Sequence, residues 1–108
     1  MLNVVVSMLM VSAGSQAQPA LGTLIADCVR AEARERAHSG VAAEAVAEAV
    51  AGACRPRIDA RLAAMAPSST DPAVAERERN LMAGLRRDVA ARLPALALKA
   101  VEAERAAH

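Results

Sequence analysis

Two cysteines, two histidines and 12 carboxylates carry what capacity this 108-residue chain has for metal, redox or acid–base chemistry. Their spacing argues against most of it. Zinc takes four ligands in close, characteristic spacing, and only His38 and His108 are available to join Cys28 and Cys54. No C-x-x-C pair occurs, so a dithiol redox motif is lacking. The chain has no glycine-rich phosphate loop, no G-x-S-x-G nucleophile elbow and no H-E-x-x-H zinc motif. The acidic residues read as solvated helix positions, since carboxylates are rarely buried without partners. Met65 and Met82 read as core fillers rather than copper ligands. The expectation is therefore no catalytic residue, no bound cofactor and no metal site. A small enzyme is the least favoured function, and a ligand or metal sensor using His38, His108 and carboxylates is an alternative.

What remains for Cys28 and Cys54 is each other. Two cysteines in an exported chain have a single intramolecular pairing. In a reducing compartment the same positions would be two buried thiols. The choice between the two rests on the N-terminus. Met1 to Val11 is apolar except for Asn3 and Ser7, and Ser15-Gln16-Ala17 places small residues where a signal peptidase reads them. The run is too short to span a bilayer as a helix, which needs about 20 residues. These features predict a signal peptide over 1–17, cleavage after Ala17, and a periplasmic or secreted protein. No Lys or Arg precedes the apolar run; either the terminal amine supplies the positive charge or residues lie upstream. Ile25-Ala26-Asp27 before Cys28 does not fit a lipoprotein acceptor site.

Residues 18–108 then form one small helical domain: a hairpin over 18–66, a loop over 67–71 and a helix over 72–105 kinked near Pro94. In the first arm, Pro19 opens a helix running to about Ala37. Leu21, Leu24, Ile25 and Cys28 share a face at helical spacing. That stripe fades after Val29, which predicts a solvated end held by helix propensity. Glu32 and Arg36 stand at i,i+4 for an ion pair. His38-Ser39-Gly40 is the expected turn, with Gly40 taking the left-handed backbone and Ser39 capping the next helix.

The second arm carries Val46, Val50, Cys54, Ile58, Leu62 and Met65 on a continuous stripe that passes through Pro56. A proline inside a helix removes a hydrogen bond and crowds the carbonyl four residues back. A kink or short break around residues 53–56 is expected, with the same face kept on both sides. Counted from the turn, the two cysteines come to similar heights on the arms, so a disulfide is within reach.

Asp71-Pro72 is a strong helix start, an N-cap acceptor followed by proline at the first helical position. Val74, Leu81, Met82, Leu85, Val89 and Leu93 should then face a core, with Asp88 and Arg92 forming an i,i+4 pair. Pro94 should kink or restart the helix. The stripe resumes at Leu96, Ala97, Ala100 and Val101, and the last turn, near Arg105, should fray. The fold class is all-α: a small helical bundle built on a disulfide-pinned hairpin plus a kinked C-terminal helix.

Composition sets the energetic terms. There is no Phe, Tyr or Trp, and aromatic rings are the largest contributors to buried area. Ala makes up about a quarter of the chain, far above ordinary usage. Helices form readily from such a sequence, but the core is thin, so a staple or a partner must supplement it. The 13 basic and 12 acidic residues are interspersed, for a net charge of +1. With no one-sign block and no aromatic stacking platform, nucleic acid is not an expected partner. Another protein, or a second copy, is. No stable membrane span is expected once the signal is removed.

With its apolar start, Cys28, the Ser39-Gly40 turn and Cys54-Arg55-Pro56, the chain resembles small exported helical proteins of GC-rich Gram-negative bacteria. In size, helicity and export it is also similar to periplasmic helical stress chaperones and metal-sensor domains, though the Leu-Thr-x-x-Gln signature of that chaperone group does not occur. Export, helicity, the lack of aromatic residues and the absence of a reaction centre together point to a non-enzymatic periplasmic role in protein interaction or envelope stress.

Overall fold

The computed structural model describes residues 20–65 and 68–107. The predicted signal, its cleavage site, Pro19 and His108 lie outside the described residues. Three helices pack on one another in every pairwise combination: α1 (Leu21–Arg36), α2 (Ala43–Ala64) and α3 (Pro72–Ala106). The all-α class and the hairpin expectation hold, and Cys28 and Cys54 are joined as a disulfide with Cα atoms 5.9 Å apart.

α2 is the central element. Its stripe Val46, Val50, Cys54, Ile58 and Leu62 is buried along its whole length. Pro56 lies inside an unbroken helix, so the expected break does not occur. The same face is retained because burial on both sides of the proline outweighs one lost hydrogen bond, and the Pro56 ring itself points to solvent. Met65, expected to extend the stripe, is 41% exposed just past the helix end.

The end of α1 departs from expectation. Ala33 and Ala37 are each only 1% exposed. They continue the Val29 stripe at i,i+4 steps, and their small side chains let the helices approach closely, so this end is core rather than solvated. The turn also differs. Ser39 does not cap a helix; its hydroxyl accepts from the Val41 N–H at 3.4 Å. α2 starts later, after an uncapped Ala42. No described residue has a positive φ, Gly40 included. With the six residues from Ala37 to Ala42 between the helices, the chain reverses without a left-handed residue.

α3 begins as its sequence predicts. The Asp71 carboxylate accepts from the Ala73 N–H at 2.9 Å, and Pro72 follows it. The Ser69 hydroxyl in turn accepts from the Asp71 N–H at 3.1 Å. The helix then continues for 35 residues through Pro94 without a restart. Its last turn is fixed rather than frayed. Arg105 donates from Nε to the Ala37 carbonyl at 2.6 Å and from Nη2 to the Val41 carbonyl at 2.7 Å.

At 1.5 Å per residue α3 is about 52 Å long, against about 24 Å for α1 and about 33 Å for α2. With its C-terminus pinned at the α1–α2 turn, its N-terminal half runs past the hairpin. Burial follows that geometry. Leu93, Ala97 and Val101 are the buried residues of α3. Of the residues expected to face a core, Val74, Met82, Leu85 and Val89 are half-buried, and Leu81 is 69% exposed.

Candidate functional site

Among the described residues singled out for chemistry, only the two cysteines come together. Cys28 and Cys54 are both buried and both consumed by the disulfide. The Arg57 guanidinium donates from Nη1 to the Cys28 sulfur at 3.5 Å. His38 is exposed at the turn, beside shallow depressions lined by Ser39 and Val41. Among the described residues, no group of three or more His, Cys, Asp or Glu could hold a metal ion. No described helix is long and apolar enough to cross a membrane.

Charge positions are ordinary for solvated helices. The predicted Glu32–Arg36 pair forms at 2.8 Å, and Asp27–Arg30 forms at 3.2 Å. The predicted Asp88–Arg92 pair does not form. Both residues instead line a concavity between α1 and α3.

That concavity is a groove of about 780 Å³ between α1 and α3. Leu21, Ile25 and Val29 supply one wall, from the N-terminal two-thirds of α1. Leu85, Val89 and Leu96 supply the other, from the middle of α3. Arg30 and Arg34 on one rim and Asp88, Arg92 and Glu104 on the other frame an apolar floor with both signs of charge. Leu96 is 44% exposed in it.

The groove lies away from the end where α1 and α3 are tied together. At their C-terminal ends Ala33, Ala37, Ala97 and Val101 are buried, and Arg105 bonds to the Ala37 carbonyl. Towards the N-terminus of α1 the facing residues are larger, and the space between them is open among the described residues. An apolar trough with a mixed charged rim suits a helix or an extended apolar segment. It offers no nucleophile paired with a base.

Sequence reasoning identified the residues of both walls and assigned them to a core; Ile25 and Val29 are buried in it and Leu21, Leu85 and Val89 pack against it, while Leu96 is left open in the groove. It did not find Arg105, whose contacts lie more than 60 residues away in the chain. The buried Ala33 and Ala37 were legible as an i,i+4 continuation of Val29, had alanine been counted as a packing residue. No family model, curated protein or solved structure matches the chain.

Proposed function

We propose that this is a small exported, non-enzymatic helical protein that works in the periplasm or outside the cell by binding protein surfaces. The observation that carries the reading is the open apolar groove between α1 and α3. An apolar surface of this kind on a small domain marks an interaction site. The compartment is supported by the Cys28–Cys54 disulfide, since such bonds persist mainly in oxidising environments. The apolar segment Met1–Val11 and the Ser15-Gln16-Ala17 site support it independently. An envelope-stress or chaperone-like duty is the specific role that export and an uncovered apolar groove suit best.

Two measurements test the reading. The intact mass of the protein purified from the periplasm should correspond to a chain starting at Gln18 with both cysteines oxidised. A full-length, reduced chain in the cytoplasm would contradict export. A photo-cross-linking amino acid placed at Leu96 in living cells should yield a protein adduct, and one placed at Arg87 should not. No adduct at Leu96 would remove the groove as a binding surface.

A further inference from the structure

The groove leaves one side of α3 only partly covered, with Leu85 and Val89 packed at the edge of the core and Leu81, Arg92 and Leu96 exposed, and the residues along that side have an order of their own. Val74, Glu78, Leu81, Leu85, Val89, Arg92 and Leu96 follow one another at steps of four, three, four, four, three and four. Two 11-residue spans therefore meet at Leu85. An 11-residue period keeps one face of an almost straight helix in line over many turns. None of the seven is buried, although five are large aliphatic residues.

The stripe is also the same read backwards. About Leu85, Val74 mirrors Leu96, Leu81 mirrors Val89, and the acid Glu78 mirrors the base Arg92. A surface that mirrors itself in shape and reverses itself in charge is what a two-fold interface requires, since each copy must present the complement of its own patch.

The geometry points to a second copy of this chain as the occupant of the groove. Two α3 helices lie antiparallel with Leu85 on the two-fold axis. This proposal rests on the groove being a binding surface and not on export.

In this arrangement the N-terminal half of each α3, which runs past its own hairpin, enters the partner's α1–α3 groove. Leu81 is the most exposed large apolar residue described, and it meets Val89 of the other copy. Val74 meets Leu96. Glu78, whose carboxylate has a shielded oxygen with no hydrogen-bond partner among the described residues, meets Arg92, which closes no ion pair among them. Symmetry makes two such Glu78–Arg92 pairs.

Gly84 fits the same picture. A glycine in the middle of a long helix costs about 1 kcal/mol relative to alanine. A Cβ there would meet nothing nearer than Arg87 Nη2 at 3.7 Å, so packing within one chain gives no reason for it. Beside the axis, it lets two helix backbones come close. The contact extends about 33 Å along each helix. The α1 walls of the groove, Leu21, Ile25 and Val29, add to that contact.

The test is sedimentation equilibrium on the oxidised, exported chain from about 1 μM to about 1 mM, a range that covers weak to moderate association. A reversible dimer is expected. Leu81→Arg should abolish it while leaving helix content unchanged, and the thermal midpoint too at concentrations where the parent is monomeric, because Leu81 packs on little in its own chain. Glu78→Arg and Arg92→Glu should each weaken the dimer by about tenfold or more, two attractions becoming two repulsions. The double variant E78R/R92E should recover the original affinity. A chain monomeric throughout, a dimer indifferent to Leu81→Arg, or a double variant as weak as the singles would overturn the proposal. A monomer would hand the groove to a different protein. The Leu96 cross-link, which reports any bound protein, would still stand or fall separately.

Discussion

Arg105 in the last turn of α3 donates to the carbonyl of Ala37 at the end of α1, with 2.6 Å between Nε and O. The last carbonyls of a helix have no partner within it, and here the partner comes from another helix. The same guanidinium reaches Val41 beyond the turn, so one side chain ties together the end of α1, the turn and the end of α3.

Arg105→Ala should therefore lower stability by about 2 kcal/mol, the usual range for hydrogen bonds to a charged group. Arg105→Lys should recover only part of this, because an ammonium cannot reproduce the planar two-site donation. Urea midpoints at constant slope would measure both. An Arg105→Ala variant as stable as the parent would mean that the C-terminal turn contributes nothing to the bundle.

The disulfide closes 26 residues of chain between two buried positions. Restricting the unfolded chain in this way contributes about 3.5 kcal/mol in the chain-entropy treatment. A small domain with no aromatic core has little else in reserve. Reduction should shift the urea midpoint downwards by a matching amount, or unfold the protein outright at 37 °C. Unchanged unfolding with and without reductant would show the three helices to be self-sufficient.

How the chain could be read in advance is clearest from α2 and α3. On α2, the apolar stripe and the cysteine count led to the correct hairpin, because both arms of a hairpin bury a face and the structure covers both. On α3, an equally regular stripe led to the expectation of a core along its length, and the chain supplies one only in part: Leu93 is buried and Met82, Leu85 and Val89 pack against the core, while Leu81 stays exposed. Periodicity marks which side of a helix is apolar and says nothing of what covers it. With only two shorter helices available, Val74 is half-buried and Leu81 has little to cover it. The cost of Pro56 and Pro94 was legible, but the continuous burial that keeps both helices unbroken was not. The Arg105 contacts were beyond reach, since nothing local signals a bond across most of the chain. As for the candidate site, its walls could be read and its openness could not.

That difference between the two stripes yields a paired prediction. Leu62 is among the largest fully buried side chains, and Leu62→Ala should cost about 2 to 5 kcal/mol through lost burial and a residual cavity. Leu81→Ala should lie within about 0.5 kcal/mol of the parent when measured at concentrations where the chain is monomeric. Comparable losses at both positions would mean that the N-terminal half of α3 is packed in solution as tightly as α2.

Pro56→Ala should stabilise the protein. The helix around it is intact, so alanine would restore a backbone donor to the Gly52 carbonyl without displacing any buried group. A gain of about 1 to 3 kcal/mol is expected from the propensity difference, reduced somewhat by the greater freedom of the unfolded chain. Thermal or urea unfolding would report it, and a loss would mean that the proline ring holds a contact that alanine cannot replace.

The two-fold pairing of α3 is tested most directly by its register. Leu85→Cys places a thiol on the proposed axis, opposite its own copy, and Arg87→Cys places one on the far side of the same helix. Under mild oxidation with the native disulfide intact, the variant at position 85 should form a covalent dimer rapidly and the one at 87 should not. Equal cross-linking at the two positions, or none at 85, would contradict the pairing.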